Sequence, residues 1–193
     1  LYLWSDPGWL HAPAYLDLLG LNRLEQPFVH FERMTYCDDV GQNAHRRSRL
    51  MALRSRLNQR RGRNEGGLVY LRRGQTGQLR AIVNEDDLVQ TLIAAGFVVV
   101  DVRQPLNEIL DATSGARLTL SMEGSQCAHL MLSAAIGAGH VIINPSDRFN
   151  NVFADYLPAF GDRMGTIVAR RSEAGYVVDI PRLMGLLERV DST

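Results

Sequence analysis

The sequence predicts an α/β domain, a parallel sheet covered by helices on both faces, beginning near residue 66. Three observations predict it. From Leu68 onward, apolar runs of strand length alternate with stretches of helix length. Runs such as Phe97-Val98-Val99-Val100 are apolar on both sides, which a strand needs only where helices cover both faces of a parallel sheet. Helix boundaries carry their own signals: Asn84 is an N-cap residue followed by the acids Glu85, Asp86 and Asp87, and Gly96 stands where a C-terminal glycine belongs. Together these describe a Rossmann-like arrangement.

The elements follow in order. A strand is predicted over Leu1–Ser5 and a helix over Ala14–Leu19, stopped by Gly20, with short extended pieces around Phe28–Phe31. The chain opens on Leu1 without a secretory leader pattern and is expected to be the C-terminal piece of something longer. Arg46–Arg63 reads as a helix with Leu50, Leu53 and Leu57 on one face. Ten arginines lie in this run or just beyond it, up to Arg73, against one acid, Glu65. The run is expected to be the solvated face of an amphipathic helix; the alternative is a patch that steers an anionic ligand or a membrane surface. Gly66-Gly67 ends it. Strand and helix then alternate as Leu68–Leu71 and Glu85–Ala95, Phe97–Val102 and Leu106–Thr113, Leu118–Met122 and Ser125–Ile136, Val141–Ile143 and Phe149–Tyr156, Thr166–Ala169 and Ile180–Val190. Three units result: 1–45 as the tail of one lobe, 46–65 as an arginine-rich helical linker, and 66–193 as the α/β lobe.

Composition narrows the function classes. The 193 residues, 46% hydrophobic and 22% charged, suffice for one sizeable core. The 21 basic and 21 acidic residues cancel, which argues against a general nucleic-acid binder. No apolar run approaches the roughly 18–20 residues of a membrane-spanning helix. Cys37 and Cys127 show neither metal-ligand spacing nor a disulfide framework, so a reducing compartment is expected. All 21 of the Lys and Arg positions are arginine, which removes Schiff-base, Walker-lysine and lysine-base chemistry.

In a parallel sheet ligands bind beyond the carboxyl ends of the strands, so the strand-to-helix junctions hold the candidates. The first, Arg72–Asn84, carries Arg72, Arg73 and Arg80 around a glycine-containing loop. Guanidinium forks bind phosphate oxygens bidentately, although Arg72 and Arg80 are equally compatible with loop decoration. Gly74 and Gly77 match neither the Walker nor the dinucleotide spacing. The second junction is Asp101–Pro105. The third, Glu123-Gly124-Ser125, offers a glycine turn, helix N–H groups for an anion, and a carboxylate that reads either as a general base or as a helix cap. His129 follows one turn later as a structural or catalytic histidine, and Cys127 reads as a small buried residue. The fourth, Asn144-Pro145-Ser146-Asp147-Arg148-Phe149, could hold a base or a sugar, or form an Asx-type turn that caps the next helix.

The order of these motifs resembles glycosyltransferase family 61, in its bacterial capsular-polysaccharide-type branch. The likeness rests on Tyr70, Arg73, Arg80, Asn84-Glu85, Gly96-Phe97, and Glu123-Gly124-Ser125 with His129. The stretch from Asp6 to Gly20, leading into Leu21, resembles what precedes the catalytic half in that family. Relatives carry Gly-x-His-Gly-Ala-Gly and a later asparagine; here Glu123, Ser125, Gln126 and His129 stand at the histidine, alanine, last glycine and asparagine positions.

The resemblance implies the C-terminal lobe of a GT-B glycosyltransferase plus a fragment of the first, acceptor-side lobe, whose closing part would be 1–45 and whose remainder a longer chain or partner would supply. It implies an inverting transfer from a nucleotide sugar, without metal or resident cofactor, to a glycan or glycoconjugate acceptor. Arg73 and Arg80 would neutralise the donor diphosphate, and Gly124 and Ser125 would cradle phosphate. Asn84, Glu85 and His129 would support the site, and Glu123 would be the base; the alternative is that Glu123 contacts the sugar or ribose and the other lobe supplies the base. The expected place of work is the cytoplasm and, on the alternative reading of Arg46–Arg63 as a patch that contacts a membrane surface, the inner face of the membrane. A polysaccharide pyruvyltransferase and a non-catalytic interaction lobe are the competing readings.

Overall fold

A computed structural model describes residues 2–3, 10–24, 28–35, 43–58, 64–74 and 80–192. Predicted features at Leu1, 4–9, Cys37, 59–63 and 75–79 lie outside the described residues. In chain order the elements are β1 (Tyr2–Leu3), α1 (Ala12–Leu19), β2 (Arg23–Leu24), α2 (Ala44–Asn58), β3 (Leu68–Arg72), α3 (Glu85–Ala94), β4 (Phe97–Asp101) and α4 (Leu106–Thr113). Then come β5 (Leu118–Met122), α5 (Cys127–Ser133), β6 (Gly139–Pro145), α6 (Val152–Phe160), β7 (Arg163–Ser172), β8 (Gly175–Val177) and α7 (Ile180–Asp191).

The main sheet is mixed, in the order β4-β3-β5-β6-β7-β8. The first five strands are parallel and β8 runs antiparallel to β7. Tyr70 pairs with Val99 of β4 and Leu120 of β5, so β3 lies between them. β1 and β2 form a separate parallel pair, and residues 28–35 join neither sheet.

Side-chain alternation sorts the core into two layers. Tyr70, Leu120, Met122, Val141, Ile143 and Ile167 pack against Leu88 and Leu92 of α3 and Leu183 and Leu187 of α7. On the other face, Val69, Leu71 and Val100 meet Ile109 of α4 and Leu130 of α5. Ile142 meets Met131, Phe153, Leu157 and Phe160, over which Leu50 and Met51 of α2 lie. The expected covering on both faces is therefore present. It is complete on β5 and β6, where every residue is buried. Phe97–Val100, the run that suggested it most, forms the sheet edge, and Val98 is 46% exposed.

A predicted helix start and a predicted cap each differ for a local reason. α6 begins at Val152 rather than Phe149 because the Asn150 side chain accepts the Val152 N–H at 3.0 Å while its own N–H goes to Asn144 Oδ1 at 3.2 Å. Asn84 stands at the N-cap position of α3 but makes no capping bond; its side chain is spent on Val178 instead.

The arginine-rich run requires a correction. α2 does not present all its arginines to water: Arg46 and Arg54 are buried. Arg46 Nη2 lies 2.9 Å from Asp155 Oδ2, with its guanidinium over the Tyr156 ring. Arg54 makes a two-point pair with Asp162, Nη1 to Oδ1 at 3.1 Å and Nη2 to Oδ2, and Nε donates to Met131 O at 2.8 Å. A buried guanidinium is tolerated only with such partners. Burial opposes ionisation of Asp162, but hydrogen bonds from His140 and Arg54 outweigh it and keep its carboxyl below the usual range. His140, pushed down by burial, donates from Nε2 to Asp162 at 3.0 Å and takes Thr119 Oγ1 at Nδ1, 2.7 Å away. The arginines at 46 and 54 thus fasten α2 to Met131 of α5, Asp155 of α6 and Asp162 beyond it, and do not belong to a free cationic patch. Among the described residues no helix is long and apolar enough to cross a membrane.

Candidate functional site

The chain builds outward from β3 to β4 on one side, then crosses to β5 on the other. The carboxyl ends of β3 and β5 are therefore the point where the strand order reverses, the usual ligand position in open α/β sheets. Arg73 follows β3 directly and Glu123 follows β5 directly, so strand pairing alone brings them together.

Arg73 Nη1 donates to Glu123 O at 3.0 Å and to Gln126 Oε1 at 2.9 Å. Arg80 Nη1 donates to the same Glu123 carbonyl and stands 2.5 Å from Glu123 Oε2. Asn150 Nδ2 donates to Glu123 Oε1 at 2.8 Å. Arg73, Arg80 and Glu123 are all buried. Burial, then the repulsion of Arg80 and more weakly of Arg148, holds the Arg73 guanidinium below its usual range, and Glu123 is the carboxylate that opposes this. Positive charge is concentrated at the strand ends around one pinned acid.

Gly124 makes the approach of Arg73 possible. Its φ is +155°, and a Cβ there would stand 1.7 Å from Arg73 Nη1 and 2.3 Å from Gln126 Oε1. The N–H groups of Cys127, Ala128 and His129 bond back to the carbonyls of Gly124, Ser125 and Gln126. The first turn of α5 is thereby closed on itself, and the exposed Ser125 lies on the outer side of the turn. Cys127 is buried, with its thiol pushed up to about 12 by burial.

The other predicted residues fall elsewhere. Arg72 points away from Arg73 and pairs with Glu85 at 2.9 Å, and Glu85 also accepts the Tyr70 hydroxyl at 2.8 Å. Glu85 therefore organises Arg72, while Asn84 ties the Arg80 segment to Val178. His129 Nδ1 meets the Tyr15 hydroxyl at 2.8 Å, its ring is stacked on Tyr15, and His11 lies edge-on at 5.0 Å. It fastens α1 to α5. Gln126 and Asn150 were missed: Gln126 stood out only as a departure from the family turn, and nothing marked Asn150.

Burial pushes the pKa of His129 down to about 4, with His11 adding to the effect. The folded chain thus resists protonation that the unfolded chain accepts near pH 6.5. Stability is expected to be flat above pH 6.5 and to fall between pH 6.5 and 4, by about 3 kcal/mol from this group. Melting temperature against pH checks this: His129→Gln should flatten the acid limb, and an unchanged limb would contradict it.

A cavity of about 710 Å³ opens between α1 and the β4–α4 turn, lined in part by His11, Asp17, Leu18, Arg103, Gln104 and Asn107. Among the described residues no group of three or more His, Cys, Asp or Glu side chains is placed to hold a metal ion.

The family model of Glycosyltransferase 61 matches residues 6–141. No curated protein matches the chain. Among solved structures, the flavodoxin-like domain of a Synechococcus sp protein is similar to it at 14% identity, over 65% of this chain and 92% of that one, with a TM-score of 0.36. The family match takes in β3, β5 and the Arg73, Arg80 and Glu123 that meet beyond them, and it spans well over half of the sequence: the chain belongs to the glycosyltransferase 61 family.

Proposed function

We propose that the chain carries the donor-binding lobe of an inverting, metal-independent glycosyltransferase that uses a nucleotide sugar in cell-surface polysaccharide or glycoconjugate synthesis at the cytoplasmic face of the membrane. The observation that carries this reading is the convergence of Arg73 and Arg80 on Glu123 at the reversal point of the sheet. Two guanidiniums there can meet the charge that builds on a departing diphosphate, the task a divalent cation performs in other transferases.

In the transfer, the acceptor hydroxyl oxygen attacks the anomeric carbon from the face opposite the diphosphate. The new C–O bond forms as the bond to the phosphate oxygen breaks, and the electron pair leaves on that oxygen beside Arg73 and Arg80. The hydroxyl proton passes to a base, assigned here to Glu123. Its Oε2 faces Arg80 and its Oε1 is held by the neutral Asn150 amide, so Oε1 is the atom an acceptor hydroxyl would reach, displacing Asn150. Gly124 and Ser125 would line the phosphate side. The assignment keeps 66–193 as the donor lobe, with α2 of the 46–65 segment layered on it, and 1–45 as part of a GT-B acceptor side. The cavity under α1 supports placing the acceptor there.

Calorimetric titration with UDP, GDP, CMP and TDP, first without metal and then with magnesium, tests this. One nucleoside diphosphate is expected to bind without metal. Binding of phosphoenolpyruvate and of no nucleotide would transfer the assignment to a pyruvyltransferase, and binding of neither would leave an interaction lobe.

A further inference from the structure

We infer that the β7–β8 hairpin positions the donor site, with Gly175 and Tyr176 setting where Arg80 stands; this rests on the reading of Arg80 as a diphosphate ligand. Arg80 begins an arm, residues 80–84, that leads into α3. The arm is no strand of the sheet, yet it is stitched to the hairpin along its length. Tyr176 N donates to Ala81 O at 2.9 Å, and Val83 N donates to Tyr176 O at 2.8 Å, a parallel bridge centred on Ile82. Asn84 Nδ2 then donates to Val178 O at 2.9 Å, and Asn84 Oδ1 accepts from Val178 N at 3.0 Å.

Gly175 permits this fit. Its φ is +143°, and a Cβ there would stand 2.4 Å from Ala81 O, the carbonyl directly after Arg80. Backbone cannot yield as a flexible side chain would, so any other residue pushes the arm away from the hairpin.

The side chain of Tyr176 reaches the opposite wall. Its buried phenol donates to Asp147 Oδ1 at 2.8 Å and accepts from Arg171 Nη1 at 2.8 Å. Asp147 belongs to the β6–α6 loop, which continues to Arg148, whose charge acts on Arg73, and to Asn150, which holds Glu123. One residue therefore fastens both sides of the guanidinium cluster, the Arg80 arm by main chain and the Asn150 loop by its phenol. The hairpin lies beyond the residues matched by the family, 6–141.

Inorganic pyrophosphate, titrated calorimetrically without metal into the whole chain, is the probe. Gly175→Ala is expected to weaken binding at least tenfold. The double variant with Arg80→Ala should bind no more weakly than Arg80→Ala alone, because the glycine acts through that guanidinium. Losses that multiply in the double variant, or an unchanged affinity in Gly175→Ala, overturn the inference. Should Gly175→Ala fail to fold, Asn84→Ala removes two bonds from the same arm without straining the backbone. It is expected to cost several-fold in affinity, again only while Arg80 is present, and a loss independent of Arg80 overturns the inference. Failure of the unaltered chain to bind pyrophosphate shows before any substitution, and it overturns the donor-site reading and this inference together.

Discussion

Arg80→Ala is expected to weaken metal-free binding of a nucleoside diphosphate by tenfold to a hundredfold, and Arg73→Ala by a similar factor. A hydrogen bond to a charged group contributes about 1.5–3 kcal/mol, and about 1.4 kcal/mol is a factor of ten. The two losses differ in what they leave behind. Without Arg80, Glu123 keeps a buried carboxylate whose guanidinium partner is gone, and that charge repels the phosphate. Without Arg73, the acceptors left behind include the neutral Gln126 amide and the Glu123 carbonyl, while the Glu123 carboxylate keeps its Arg80 partner. Arg80→Ala should therefore show the larger effect. Calorimetry of the unaltered chain and both variants reads it directly, and affinities within twofold of one another would place the diphosphate elsewhere.

Asp162→Ala is expected to destabilise the chain by about 3–5 kcal/mol, the usual result of removing one partner from a buried ion pair. Arg54 would stay charged against the Phe160 ring, 4.0 Å from its centroid, with main-chain carbonyls as its remaining partners. His140 and the Gly137 amide would lose their acceptor as well. Since domains have about 5–15 kcal/mol in total, the change should be plain in a urea midpoint. Asp162→Asn keeps part of the hydrogen bonding but not the charge, so it should fall between. A shift below about 1 kcal/mol for Asp162→Ala would show that the Arg54 pair is not what binds α2 to α5 and α6.

Much of this fold can be read along the chain because burial on both faces leaves a plain trace. β5 is predicted and found at Leu118–Met122, and α4 at Leu106–Thr113, since apolar runs and turn residues bound them closely. β8 left no trace: three residues beside a glycine carry no period, and the strand exists because β7 and the Arg80 arm pair with it. α2 misled for the opposite reason. Its inward stripe carries Arg46 and Arg54, whose partners Asp155 and Asp162 lie about a hundred residues away, so no local pattern distinguishes them from surface charge.

The site divides the same way. Arg73, Arg80, Glu123 and Gly124 were legible as charged groups and a glycine at strand ends, and the structure brings them together. Gln126 and Asn150 were not, because a neutral side chain that holds a charged one has no residue-type signature. His129 was legible as a residue but not as a partner: the groups it meets, Tyr15 and His11, come from a different part of the chain.

A crystal structure of this chain with a nucleoside diphosphate bound would decide the position of the donor site. The expected result places the phosphate oxygens within hydrogen-bond distance of the Arg73 and Arg80 guanidiniums, beyond the carboxyl ends of β3 and β5, with Ser125 beside them. A diphosphate found in the cavity between α1 and α4, with Arg73 and Arg80 making no phosphate contact, would contradict it.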